Sequence, residues 1–418
     1  MKSVLMLIFL SIGIAVFPKV SEEEYLKNNV HVISLEEYSG ENFKYLDDER
    51  EVRVFFSGET HGFQENYQLR IQLIRYFYEV HGIRRYLGEL GYSSGYFLNK
   101  YLETGEEKYL ELVNYSLEGS HDFSVEDYEF WKELYNYNRT LPEGEKIKIY
   151  GLDMEHQYWI PLLAVHDILE KVEVEELAPE DREGFRKAKV LFKEIHDMIL
   201  PPGEDYKNIY RNVEEIIKKK KLRYRRDDIL DAFKTSRMNF ILGRTAAEKY
   251  YTAEELVDIE AIIFNALNTI EFLNLKANEE IYFYMREKFI FENFIRLFKA
   301  FPHDEFYGQW GRFHISGRED SNEIRFAQLV EDFAPDFYRS ITAIEFLYND
   351  KNHPDYRKKG VREKLNILKK YIPEGAEAAI FNLKELSEDS RLLDKRERRY
   401  IKYIVVINSS KKAEKLKE

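Results

Sequence analysis

With 418 residues, 44% of them apolar and 15% aromatic, the chain can bury a sizeable core, and it exceeds what one compact layer needs, so one large domain with an insertion, or two domains, is expected. A formal charge of -13 argues against nucleic acid or an anionic membrane as the main partner, because both attract basic surfaces, and leaves a small-molecule substrate as the expected one. The absence of cysteine excludes disulfides, thiol catalysis and a lipoprotein anchor.

The chain opens with MKSVLMLIFLSIGIAVFPKV: a lysine, an apolar run of secretory length, then the small residues Gly13 and Ala15 at a cleavage-like spacing. Residues 1–20 therefore read as a signal peptide or, less favoured, an uncleaved N-terminal anchor, since the run is short for a membrane span. The expected location is exported, periplasmic or extracellular, with membrane contact only if the leader is retained.

Short β-rich runs follow at Val52–Ser57 (VRVFFS), Arg84–Leu90, Lys146–Gly151 (KIKIYG), Ser340–Phe346, Ala378–Asn382 and Tyr403–Asn408. Helical patterns over Glu65–Val80 and Val125–Tyr137 separate the early ones. Alternating strands and helices imply parallel pairing, and runs such as VRVFF suit strands covered on both faces. The fold class expected is α/β, a mainly parallel sheet core flanked by helices, with a large all-helical insertion.

The insertion is read over 161–300, where long amphipathic stretches break at Pro201-Pro202-Gly203 and near Ala277-Asn278. The core would be split into 21–160 and 301–410, leaving 411–418 as a frayed tail. The basic run Lys218–Arg226 is flanked by Glu214-Glu215 and Asp227-Asp228, so a solvated helix face or junction is favoured over a binding patch.

In an open parallel sheet, ligands gather at the carboxyl ends of the strands. The first strand run ends in Ser57-Gly58-Glu59-Thr60-His61-Gly62, the second at Glu89, and the third in Gly151-Leu152-Asp153, followed by Glu155-His156. Histidine suits proton transfer near neutral pH, and an adjacent carboxylate fixes its tautomer and stabilises its charged form. Glu59-x-His61 alone also fits a capped structural turn. Acids delivered to one rim by three strands are harder to dismiss. Glu305–Ser316 (EFYGQWGRFHIS) reads as a strand or strand-turn carrying His314, which by itself fits a hydrogen-bonded core histidine.

Gly91-Tyr92-Ser93-Ser94-Gly95 matches G-x-S-x-G, a nucleophile-elbow pattern that would need an acid such as Asp153 and then His303 or His314. The simpler reading is a turn in which Ser93 or Ser94 caps the next helix, with no H-G-G-type loop for an oxyanion hole. Glu59, His61, Glu89, Asp153 and His314 carry donor atoms that suit a divalent ion, yet neither H-E-x-x-H nor a cysteine ligand is present to demand zinc. No cofactor is therefore expected to be required, and a divalent metal stays open.

The set G-E-T-H-G with Glu65, then Glu89, G-L-D at Asp153, Arg286-Glu287 through Asn293 (REKFIFEN) and His314 resembles the erythromycin esterase family, itself similar to a superfamily that includes Tiki metalloproteases and ChaN-like haem-binding proteins. The resemblance implies an α/β core with a helical insertion and a cleft where a histidine base activates water against a macrolactone ester. Carried over by position, it implies His61 as base, Glu59 and Glu89 as its orienting carboxylates, Arg286 as the cation for developing negative charge, and His314 as a further catalytic residue. Glu65, Asp153, Asn293 and Trp310 would line the substrate site. The sequence departs from the family in the spacing of Glu59 and His61, and in having Gly311-Arg312-Phe313-His314 where H-N-x-H is usual. The leading expectation is an exported, metal-independent ester hydrolase. The alternatives are a noncatalytic ligand- or haem-binding protein, a metal-dependent hydrolase or protease, and a Ser93 serine esterase.

Overall fold

The computed structural model describes residues 20–157, 159–209, 211–213, 226–272, 279–316, 324–333 and 341–416. The leader lies outside the described residues, as do the break near Ala277-Asn278 and all of the basic run except Arg226. Eight strands form one sheet: β1 Val30–Ile33, β2 Val54–Glu59, β3 Arg85–Gly91, β4 Lys148–Asp153, β5 Phe306–Gly311, β6 Ile341–Tyr348, β7 Ala378–Asn382 and β8 Ile401–Ile407. Their order across the sheet is β1-β7-β8-β6-β2-β5-β3-β4. The six strands from β8 to β4 pair in parallel, whereas β7 runs antiparallel to both β8 and β1.

β2, β5 and β6 are buried at every position, as expected of parallel strands covered on both faces. Aromatic rings glue the first crossover helix, Gln64–His81, to this centre: Phe77 lies 4.5 Å from Phe55 and 4.6 Å from Tyr307, ring centre to ring centre. Full burial of side chains such as Phe55 and Phe77 stabilises the fold by roughly 1.5–3 kcal/mol each. Among the described residues between β4 and β5 there is no strand. The main helices there span Ile160–Glu170, Pro179–Ile199, Arg226–Leu242, Ala253–Phe272 and Glu279–Ala300, with Gly203 turning the chain at φ +84°. No described helix is long and apolar enough to cross a membrane.

Three expectations need correction. The Glu305–Ser316 segment is a strand only to Gly311, and Arg312–Ser316 is a short helix that carries His314 back under the rim. β1 is an extra edge strand, short and half exposed, without the apolar run that marks the others. The C-terminal segment is docked through residue 416: Lys412 and Lys415 bridge to Phe63 and Ser124, and the Ala413 N–H donates to the Gly62 carbonyl at 2.9 Å. Backbone hydrogen bonds hold this tail, so its polar side chains gave no hint of it.

Candidate active site

Because β2, β3, β4 and β5 are parallel, their carboxyl ends share one edge, and β5 sits between β2 and β3. Two strand spacings, about 10 Å, separate β2 from β3. His61, in the Thr60–Phe63 loop, spans that gap. Its Nδ1 lies 3.0 Å from Glu59 Oε1 and its Nε2 lies 3.6 Å from Glu89 Oε2, with the side chain 34% exposed. Gly311 at the end of β5 makes the approach feasible, since a Cβ there would lie 2.6 Å from His61 Nε2 and 3.2 Å from Glu89 Oε2. The Gly311 N–H in turn donates to Glu89 Oε2 at 2.5 Å.

Behind His61, Glu59 is almost fully buried and is held by Arg70 at 3.5 Å and by Gln309; Arg70 passes on to Asp127 at 3.3 Å. Burial works to raise the Glu59 carboxyl, but Arg70 and His61 overcome it and hold it below its ordinary value. The His61 imidazolium is likewise disfavoured by burial, yet Glu89 and Glu59 hold the ring well above the usual histidine range. Both carboxylates thus favour the charged form of the ring.

On the other side, the Arg286 guanidinium clamps two acids. Its Nη2 lies 3.1 Å from Glu89 Oε1, and its Nε donates to Asp153 Oδ1 at 3.0 Å while Nη2 also binds Asp153 Oδ2. Asp153 additionally meets His156 Nε2 at 2.9 Å. Burial opposes ionisation of Asp153, but Arg286 and His156 drive its carboxyl far below the ordinary range. Arg286 and Asn293 stand seven residues apart on one helix, so they share a face. That face meets β4, with the Asn293 amide donating to the Leu152 carbonyl at 2.7 Å.

His314 is buried beneath this rim, with Nε2 3.1 Å from Glu89 Oε1 and Nδ1 2.6 Å from Glu287 Oε1. Burial lowers its affinity for a proton, but Glu89 and Glu287 win and push it up to about 9. Both ring nitrogens face carboxylates inside the protein, so His314 charges and orients Glu89 from below.

His61, Glu59, Glu89, Arg286, Asp153 and His314 thus converge. Asn293, Glu65 and Trp310 point their hydrogen bonds elsewhere: the Asn293 amide nitrogen to the Leu152 carbonyl and Asn265, the Glu65 carboxylate to the Lys411 N–H at 2.9 Å, and the Trp310 indole to the Leu87 carbonyl at 3.0 Å. Ser93 is fully buried, and its N–H and hydroxyl both go to Glu155 Oε1 at 2.9 Å, with no imidazole beside it. Asp153 and His314, the partners an elbow would need, are committed to Arg286 and Glu89. Among the described residues no three histidine or acidic side chains are disposed to hold a metal, and the rim carboxylates are saturated by Arg286 and imidazoles.

Reasoning along the sequence missed Arg70, Asp127 and Gln309, and gave Glu287 no role beyond its place in the REKFIFEN run. Arg70 had a signal: with Asn66 it forms an i, i+4 pair on the buried face of the helix directly after the His61 loop. Asp127 joins from the Val125–Thr140 helix, where burial pushes its carboxyl up to about 7 despite Arg70. Nothing local in the sequence marks that pairing.

No family model matches the chain, and no curated protein matches it significantly. Solved structures do share its fold. A Bacillus cereus protein from structural genomics superposes with a TM-score of 0.63 at 12% identity over 95% of this chain and 98% of its own. A variant of the erythromycin esterase EreC in its open conformation gives 0.58 at 13% identity over 92% and 98%. A succinoglycan biosynthesis protein gives 0.63 at 12% over 94% and 98%. The chain has the erythromycin-esterase-like fold along almost its whole length.

Proposed function

We propose that the protein is an exported hydrolase that cleaves an ester of a bulky or cyclic small molecule, using water deprotonated by His61 and no metal. The observation that carries this reading is the part-exposed His61 ring, gripped at Nδ1 by buried Glu59 and faced at Nε2 by Glu89. Glu59 fixes the tautomer that leaves Nε2 toward the cleft, as a general base requires. In the neutral ring Nε2 accepts a proton from water, and the hydroxide attacks the ester carbonyl. Arg286 offers its positive charge to the rim, although Glu89 and Asp153 already neutralise most of it, so its larger role is to hold those acids in place. The likeness to an erythromycin esterase supports ester chemistry on this scaffold; it does not choose the substrate.

The test is acid release in a pH-stat from p-nitrophenyl butyrate, ethyl butyrate and a macrolactone. Wild-type protein should hydrolyse at least one. His61→Ala should lower kcat by on the order of 1000-fold, within the range for loss of a general base. Full activity in that variant would sink the proposal.

A further inference from the structure

Two imidazoles of the ion-paired run are part-exposed, and each is backed by a buried carboxylate. His61 is held by Glu59, and His156, 43% exposed, is held at Nε2 by Asp153 at 2.9 Å. His314, by contrast, is 3% exposed with both nitrogens occupied, so it cannot meet a substrate. One Arg286 nitrogen binds both Asp153 and Glu89, and Glu89 reaches His61, so a short run of ion pairs joins the two exposed rings across β4, β3 and β5. The Asp153 pairing fixes which nitrogen of His156 points outward. Nε2 is spent on the carboxylate, and Nδ1 has no protein partner among the described residues.

We propose that His156, joined to His61 through Asp153, Arg286 and Glu89, is the general acid that protonates the departing alkoxide; the inference rests on the reading of His61 as the base. Water gives a proton to His61 Nε2 as its oxygen bonds to the ester carbon. When the carbon–oxygen bond of the tetrahedral intermediate breaks, the electron pair goes to the alkoxy oxygen, and His156 Nδ1–H supplies its proton. The products are a carboxylic acid and an alcohol. Proton transfer through solvent from His61 to His156 restores both rings. Burial disfavours the charged His156 ring, but Asp153 outweighs it and raises the ring's proton affinity above the ordinary value, the direction an acid needs. This role gives the exposed second imidazole a purpose that Arg286, already clamped, cannot fill.

A general acid for the leaving group matters when that group is a poor one. Ethoxide needs a proton in order to leave, whereas p-nitrophenolate departs as a stable anion. With the full chain, His156→Gln should lower kcat/KM for ethyl butyrate on the order of 100-fold and for p-nitrophenyl butyrate by less than about threefold. His61→Ala should lose activity on both. If circular dichroism shows that His156→Gln is misfolded, His156→Asn is measured in its place, and added imidazole should restore ethyl butyrate hydrolysis to His156→Ala. Equal losses on the two esters, or no loss on either, overturn the assignment while leaving the His61 reading intact. Wild-type protein inert towards both esters removes the hydrolase reading itself, and His156 with it.

Discussion

Two glycine-bearing turns leave the sheet for a helix, one after β2 and one after β3, and they do opposite things with their functional-looking residue. After β2, the four-residue loop Thr60–Phe63 intervenes before the helix begins at Gln64, and Gly62 at φ +83° bends it so that His61 stands over the rim. After β3 the helix begins at once with Tyr92, so Ser93 falls in its first turn and points inward. Gly91 completes the burial, because a Cβ there would lie 2.2 Å from Glu155 Oε2. Loop length and neighbouring bulk, rather than the G-x-S-x-G pattern, decide which side chain meets solvent.

That contrast can be broken from the His61 side first. In Gly311→Ala, the new Cβ would sit far inside contact distance of Nε2, so the ring must swing away. An ångström-scale displacement of a reacting group costs on the order of 100-fold in kcat/KM. Unchanged kinetics in a folded Gly311→Ala variant would mean that the ring position is unimportant.

A smaller effect concerns pH. His61 works as a base only when neutral, and with its proton affinity raised by Glu89 the rate on p-nitrophenyl butyrate, which needs no general acid, should climb as pH rises through a value above the ordinary histidine pKa. Glu89→Gln removes a negative charge that favours the imidazolium. The inflection in kcat/KM should therefore move to lower pH by about one unit or more. A shift to higher pH would contradict the ion pair.

The least effect on activity is expected at the other turn. Ser93→Ala removes one donor from Glu155, which keeps the Ser93 N–H and the Asn265 amide. Hydrolysis should stay within about twofold while urea denaturation shows a loss of roughly 1 kcal/mol. An inactive Ser93→Ala protein would restore the serine-esterase alternative.

Much of the core was legible because parallel strands buried on both faces are largely apolar, and the runs VRVFF and Tyr403–Asn408 carry that pattern. β1 was not legible: it is four residues long, carries His31, and owes its strand form to pairing with β7, some 350 residues away in the chain. The docked tail escaped for a related reason, since its partners are backbone groups of distant loops. Within the site, Glu59, His61, Glu89 and Asp153 were found because strand ends are recognisable. His314 read by itself as a hydrogen-bonded core histidine, and the turn after Gly311 does bury it; only the family resemblance had put it among the catalytic residues.

The sequence by itself determined where the strands stop, and so which acids and histidines arrive at the carboxyl edge, because strand length and turn chemistry are local. The insertion of β5 between β2 and β3, the clamp of Arg286 on two acids, and the pairing of His61 with Glu59 and of His156 with Asp153 in one ion-paired run were decided only by tertiary structure. Those depend on which distant segments pack side by side, and burial and charge pairing exist only once they do.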